Sequence, residues 1–463
     1  MRLRDNIGIS IIILAFICAN AIFLVFYKDV WWDSSVYIGM GKYIYSLGHS
    51  GLWEDYRMPL FPLILGFGWL LDTDIVLYSR IVSLIFACLV LFMTYKLGKE
   101  SFSEKTGLLA SFFLAFSYTF LFFSGNILTE IPSAFFVMVS FYLFFKQRYF
   151  LSGVFAGISM MFRIFHSFVF IGIFATFVLC GYNKKGFASK IFNYIAGLLC
   201  LILPYLVFNF FMYGDVLRPL KIQTFFVHTT AWNLYRGWLF YPIGLAKENF
   251  LLAALLIAPL LIYKNKKLTG HRIFALFASV IFYILFYSFA RHKEMRFMIV
   301  ALPILYILLS ILLFEIYKKM KFKEIAVAIF IIMALAWIFM TFSKISSAIS
   351  YQQQRNNEAL LFFQSKINEK NGTIWITNPI YALHSNKKID GLLYYYSSKN
   401  LVEFAAGNVF DIAFTNDCDI MCAPKEHDPY CEISHIKLYE KLGNYKKIYS
   451  NKVNSCNYEI FTS

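Results

Sequence analysis

Residues 7–48 read IGISIIILAFICANAIFLVFYKDVWWDSSVYIGMGKYIYSLG. The first half of this stretch is an unbroken apolar run, long enough to cross the roughly 30 Å of bilayer hydrocarbon as a helix. Arg2 and Arg4 precede it and no small-residue cleavage site comes before Trp31, so it reads as a retained first crossing rather than a signal peptide. Trp31-Trp32-Asp33 then sets two interfacial aromatics and a carboxylate at the membrane surface. After it, Tyr37, Met40/Gly41, Ile44 and Leu47 recur at helical spacing, which predicts an amphipathic helix lying flat on the bilayer. Asp33 at the head of that helix has two readings that can coexist, an N-cap and a reacting carboxylate.

Working outward, the 463 residues are 59% hydrophobic and only 15% charged, which excludes both a soluble globular enzyme and a disordered chain. The net charge of +16 does not point to nucleic acid. From Ser343 onward 13 Lys plus Arg face 12 Asp plus Glu, so the excess lies in short loops of the hydrophobic part, where basic residues mark the cytoplasmic side. Eleven crossings are expected, at about 7–27, 75–95, 107–123, 131–145, 150–162, 166–182, 191–213, 250–263, 273–290, 297–316 and 325–342, with 150–182 alternatively one long tilted helix. Cytoplasmic loops would carry Lys96/Lys99/Lys105, Lys146/Arg148, Lys184/Lys185/Lys190, Lys264/Lys266/Lys267/Arg272 and Lys318/Lys319/Lys321/Lys323. Pro59–Leu71 is apolar but short and reads as a segment in the outer interface, because a crossing there would invert every later loop. The N-terminus is then inside and the C-terminus outside.

The tail differs in composition. β-rich runs at Thr373–Thr377, Phe410–Thr415 and Asn457–Thr462 alternate with candidate helices at Asn357–Glu369 and Glu432–Leu442. The expected architecture is therefore an all-α polytopic membrane domain, residues 1–342, with amphipathic outer-loop helices, followed by a small exoplasmic α/β domain, residues 343–463. Cys18, Cys88, Cys180 and Cys200 lie in apolar runs as small core residues. Cys418, Cys422, Cys431 and Cys456 form an even set in an exported tail and read as two disulfides of undetermined pairing, with a zinc site using some of them and His427 as the competing reading. Asn371-Gly372-Thr373 is an acceptor sequon on the same side.

Ionisable groups at membrane depth cost free energy and so mark function. The outer loop Lys28–Met58 holds Asp33, Glu54, Asp55 and Arg57, and a second acid, Glu130, opens a helix at Glu130-Ile131-Pro132. Glu130 has a bland reading as well, favourable interaction with the helix dipole. Arg291-His292-Lys293-Glu294-Met295-Arg296 lies outside against the charge rule, joined by Arg163 and His166 and by Arg218, Lys221 and Arg236. Such a grouping suits an anionic phosphate or pyrophosphate head group.

The order of WWDSSVYIGMGKYIYSLG (31–48), EDYRMPLFPLILG (54–66), ILTEIPSAFF (127–136) and ARHKEMRFMIVALP (290–303) resembles the C-type glycosyltransferase superfamily of polytopic membrane enzymes. Arg57-x-Pro59-x-x-Pro62 is similar to the protein O-mannosyltransferase and aminoarabinose transferase branch. His292-Lys293-Glu294-x-Arg296-Phe297 is similar to the HKE-x-RF of lipid-linked-glycan and glycolipid mannosyltransferases. The resemblance covers about residues 1–340 and implies single-sugar transfer, mannose or a similar hexose, from a polyprenyl- or dolichyl-phosphate donor on the outer face, with inversion. It implies that Asp33 acts on the acceptor and that Glu130 is the second acidic position. Where the family often has an adjacent acidic pair this chain has Asp33-Ser34, and its tail lacks the WWDYG of oligosaccharyltransferases, so transfer of a whole glycan to Asn is not expected.

The expected site is thus Asp33 as base with Glu130 orienting it or the acceptor; Arg57, His292, Lys293, Arg296 and Arg163 for the donor phosphate; and Glu54, Asp55 and His166 on the acceptor side. These residues specify no cofactor with certainty beyond the lipid-phosphate sugar itself, and Asp33 and Glu130 offer a thin divalent-metal site. Partners are membrane lipid, the lipid-phosphate sugar, and a glycan, glycolipid or protein acceptor, in a prokaryotic plasma membrane or an endoplasmic reticulum. If 291–297 is helical, His292 and Arg296 share a face. A flippase or transporter of a surface-glycan pathway is the alternative, disfavoured by the absence of an internal repeat. A non-catalytic scaffold would leave Asp33→Asn without effect.

Overall fold

The computed structural model describes residues 7–27, 29–181, 186–229, 234–257, 270–351, 357–369, 372–420, 422–453 and 455–463. Arg2, Arg4, Lys184, Lys185, Lys264, Lys266, Lys267, Asn371 of the sequon and the end of the crossing expected at 250–263 lie outside them. The chain is mostly helical, with one small sheet, and forms two compact units.

The first unit comprises Met1–Lys28, Ile81–Val216 and Arg236–Gln352. Among the described residues, five helices are long and apolar enough to cross a membrane: Ile7–Phe26, Ile75–Ser101, Phe187–Tyr213, His271–Phe289 and Lys323–Ser350. Glu104–Ala115 and Tyr118–Ser124 make a sixth if a pair bent by 65° is one span. Whole rows of these helices are bare apolar side chains, such as Ile325, Ile329, Ile332, Leu335 and Phe339, a surface that only lipid covers. This is an integral membrane protein.

The count of eleven crossings is not reproduced. Glu130–Phe145, Tyr149–Phe162 and Ile164–Leu179 are apolar but shorter than a full span. The run expected at 297–316 is divided into a 3₁₀ segment, Met295–Val300, and a helix, Leu302–Lys319. The stretch 150–182 is not one helix: it breaks at Arg163, which is extended (φ −158°, ψ 112°) ahead of a 3₁₀ segment, Ile164–Phe170.

Small residues bring the short helices together. A Cβ on Gly153 would stand 1.9 Å from the Tyr194 carbonyl oxygen, and one on Gly197 would stand 2.0 Å from that of Phe150, so helices Tyr149–Phe162 and Phe187–Tyr213 cross backbone to backbone there. Serines zip Glu130–Phe145 to Tyr149–Phe162. The hydroxyls of Ser140 and Ser152 lie 3.2 Å apart, and those of Ser133 and Ser159 lie 2.9 Å apart. Each pair is two helical turns from the other, and the same antiparallel register carried onward sets Glu130 across from Arg163.

The second unit comprises Asp29–Arg80, Leu217–Tyr235 and Gln353–Ser463. Its sheet has the order β2-β1-β3-β5-β4, with β1 (Ile374–Ile376), β2 (Gly391–Leu392), β3 (Ile412–Asn416), β4 (Lys446–Val453) and β5 (Cys456–Thr462). β1 runs parallel to β2 and β3, whereas β5 runs antiparallel to β3 and β4. Alternation along the strands gives two cores. Ile374, Ile376, Ile412, Phe414 and Ile460 face one side with Phe363 and Ile367; Trp375, Ala413 and Phe461 face the other with Leu401 and Leu438.

The first of these cores also takes in Val36, Met40 and Leu52 of the outer loop. Helix Trp32–Tyr45 therefore does not lie with one face in water as its stripe suggests: Ser34–Lys42 are all buried, and Leu47 at the end of the stripe is exposed. Its other side meets helix Leu60–Leu70, where a Cβ on Gly66 would stand 2.5 Å from the Gly41 carbonyl oxygen. Lys42 is buried and donates from Nζ to the carbonyls of Ala382 (3.1 Å), Leu383 (2.5 Å) and Ser385 (3.2 Å). Gly51 pairs with Lys388 as a short parallel bridge. The compact unit built on the tail thus reaches back to Asp29–Arg80, beyond the boundary drawn at residue 343.

Candidate active site

In the second unit the residues converge on Arg57. Trp31 is the N-cap of helix Trp32–Tyr45, so Asp33 sits within the first turn rather than at the cap. Its Oδ1 accepts from Arg57 Nη2 at 2.7 Å, while Glu54 Oε2 accepts from Arg57 Nε at 2.5 Å. The rings of Tyr37 and Tyr56 flank the guanidinium at 5.0 and 5.2 Å. Burial works against the charge on Arg57, but Asp33, Tyr56 and Glu54 outweigh it and raise its pKa further. Burial pushes the Glu54 carboxyl up, and Arg57 pulls against that without cancelling it. Arg57, expected at the donor phosphate, is thus engaged by two carboxylates. Asp55 is paired with Arg218.

In the first unit a chain of side chains linked through two carboxylates runs from His292 to Arg163. His292 Nε2 lies 2.7 Å from Glu294 Oε1, and Arg296 Nη2 donates to that same oxygen at 2.7 Å. Arg296 Nε is 3.7 Å from Glu130 Oε1, which accepts from Arg163 Nη1 at 2.7 Å. Both guanidiniums lie over the ring of Phe297, at 4.5 Å for Arg163 and 5.4 Å for Arg296. Glu130 is fully buried, and its Oε2 has no hydrogen-bond partner among the described residues. His166 is buried too, with Nδ1 2.5 Å from the Ser133 hydroxyl. The tyrosines Tyr241, Tyr283 and Tyr287 are buried in the same unit, Tyr283 and Tyr287 with ring centroids 4.9 Å apart.

Two expectations change here. Residues 291–294 are not helical, so His292 and Arg296 do not meet as an i, i+4 pair; they meet because both grip Glu294. Lys293, expected at the donor phosphate, donates instead to the backbone carbonyls of Arg236 (2.9 Å) and Ala290. Glu294, inside the quoted HKE motif, joins the site as the acid that His292 and Arg296 both grip. A lone acid among basic residues is the signal that could have found it.

Burial would raise the Glu294 carboxyl, yet Arg296 and His292 overcome this and hold it down at about 2. A carboxyl whose pKa falls from 4.5 to about 2 on folding adds stability in full above 4.5 and loses it progressively as pH drops through 2. Glu294→Gln is therefore expected to lower the melting temperature near neutrality. The gap to wild type should close as the pH is taken down toward about 2, as thermal melting in detergent would show.

Among the described residues the close groupings of three metal-capable ligands are Cys422/Cys431/His435 and Asp417/Cys418/Cys456; neither contains Asp33 or Glu130. The tail cysteines are joined as Cys418–Cys456 and Cys422–Cys431. His427, named in the zinc reading, instead packs edge-on to Tyr235.

The sequence matches the model of the Alg9-like mannosyltransferase family over residues 11–386. The chain belongs to that family. It is a membrane glycosyltransferase, as the motif order implied. No curated protein sequence matches it. Its fold is similar to that of ArnT from Cupriavidus metallidurans bound to undecaprenyl phosphate (TM-score 0.65, 9% identity, 98% of this chain and 97% of that one). It is also similar to the archaeal oligosaccharyltransferase AglB from Archaeoglobus fulgidus in complex with an inhibitory peptide and a dolichol-phosphate (TM-score 0.64, 13% identity, 100% of this chain and 75% of that one). Both are C-type glycosyltransferases, and at such identities they establish the fold alone.

Proposed function

We propose that this member of the Alg9-like mannosyltransferase family moves a single mannose-like hexose from a polyprenyl- or dolichyl-phosphate donor to an acceptor hydroxyl on the exoplasmic face, inverting the anomeric carbon. The observation that carries it is the Arg163–Glu130–Arg296–Glu294–His292 chain, which buries a fixed block of cationic donors in a membrane enzyme of this family. Cations placed in advance where a phosphate leaves stabilise charge that grows in the transition state, usually the largest catalytic contribution. ArnT and AglB were solved with lipid phosphates, which supports a donor of that class for this chain.

The acceptor oxygen attacks the anomeric carbon as the bond to the phosphate oxygen breaks; the proton passes to Asp33 and the electron pair to the lipid phosphate. Arg57 holds Asp33 in place through its Oδ1. An alcohol is far weaker an acid than the carboxyl, so transfer of its proton runs with bond formation rather than before it. Glu130 Oε1 holds Arg163, and its open Oε2 receives a sugar or acceptor hydroxyl. Arg296, Arg163 and His292 take the leaving phosphate. An orientation with the N-terminus in and the C-terminus out completes this reading.

The test is product analysis. Purified protein incubated with polyprenyl-phosphate hexoses and pentoses and a panel of glycan, glycolipid and hydroxyl-peptide acceptors should yield one mass increase of a single hexose, from one donor. Transfer from nucleotide sugars with none from lipid phosphates overturns the proposal.

A further inference from the structure

The Cys422–Cys431 bridge differs from Cys418–Cys456 in the group beside it. Cys431 opens helix Cys431–Gly443, and His435 lies one turn on at i+4, so both side chains project from the same face. His435 Nδ1 is 3.6 Å from Cys422 Sγ, and its Nε2 is 3.7 Å from Cys431 Sγ. In a tetrahedral zinc site, bonds of about 2.3 Å to sulfur and about 2.0–2.1 Å to nitrogen put neighbouring ligand atoms roughly 3.5–4 Å apart. These distances involve different nitrogens and an ion takes only one, so the ring must turn to aim a single nitrogen between the sulfurs as the two sulfurs separate. All three ligand atoms lie within 4.8 Å of one another.

The cluster is partly sheltered, with Cys431 buried and Cys422 and His435 half-buried, and it closes a loop of 9 residues in sequence separation. A metal held by Cys422, Cys431 and His435 would tie Cys422 to the same helix that the disulfide ties it to. The other bridge groups its sulfurs with Asp417.

We infer that Cys422, Cys431 and His435 form a zinc-class metal site when the bridge is reduced, with water in the fourth position, so that this loop stays anchored in either redox state. The chemistry balances with a dithiol as reductant. The dithiol gives two electrons and two protons to the bridge and closes to its own cyclic disulfide. The two protein thiols then lose two protons as the divalent ion binds both sulfurs. This inference does not depend on which sugar the enzyme transfers or whether Asp33 is its base.

The experiment uses the full chain in detergent, reduced with a phosphine, freed of reductant under anaerobic conditions and titrated with Co(II) and then Zn(II). Thiolate-to-cobalt charge-transfer absorption and tetrahedral d–d bands should rise to one ion per chain and be displaced by Zn(II). The oxidised protein should show neither. His435→Ala should weaken binding by at least the roughly 10–100-fold that loss of an outer-sphere partner costs at metal sites. Cys418→Ser/Cys456→Ser should leave the signal intact, which also guards against a misfolded Cys422 variant being misread. Reduced protein with four titratable tail thiols and no thiolate–cobalt band overturns the inference, as does a band that persists unchanged in Cys422→Ser/Cys431→Ser.

Discussion

Asp33→Asn is expected to lower sugar transfer from the lipid-phosphate donor by about 10²–10⁴-fold, the range a positioned general base contributes, with the amount of protein in the membrane unchanged. Asparagine keeps an oxygen where Asp33 Oδ1 accepts from Arg57, so the helix start and the Arg57 contact to Glu54 stay in place. What is lost is the negative charge that receives a proton. A purely structural Asp33 would show its effect as lower protein level or melting temperature, and the amide should change neither by much. Radiolabel transfer in membranes, normalised to protein by immunoblot, measures it; undiminished transfer removes Asp33 from the mechanism.

The second large effect is at Arg163. Arg163→Met removes a cation from the proposed phosphate site and leaves the carboxylate of Glu130 buried without its closest partner. Breaking a buried pair on one side costs about 3–5 kcal/mol, and loss of one fixed transition-state donor costs about 10²–10³ in rate. These two consequences separate in the double variant. Glu130→Gln/Arg163→Met removes both charges together, which is often near neutral for stability. It should recover most of the melting temperature while transfer stays low. Recovery of both would make the pair structural. Arg163→Lys should also transfer poorly, since a point charge lacks the guanidinium fork and its stacking over Phe297.

Much of the fold can be read in the residues. The tail helix at Asn357–Glu369 and the strands at Ile374–Ile376 and Cys456–Thr462 follow directly from period and β-branching. Arg57 and Glu130 are visible as charges where charge is costly. What a single sequence does not display is which charge answers which. Glu130 meets Arg163 because two serine pairs fix the register of a helix hairpin, and serines in an apolar helix look like neutral filler. Glu294 captures His292 and Arg296 because the chain is irregular there, whereas the helical reading pairs the two directly on one face. The amphipathic stripe of Trp32–Tyr45 is real, but an apolar stripe fits a protein core as well as a lipid surface, and Val36 and Met40 go to the core. Span counting meets a physical ambiguity as well. Helices such as Tyr149–Phe162 are apolar yet shorter than a full span, and they pack against one another through glycine and serine, so apolar composition alone does not count crossings.

The most direct measurement is the anomeric configuration of the product, by proton NMR on glycan made by the purified enzyme from a polyprenyl-phosphate hexose of known configuration. A single displacement with Asp33 as base and the arginine block on the leaving phosphate predicts the opposite configuration in every product molecule. Retention of configuration contradicts the account.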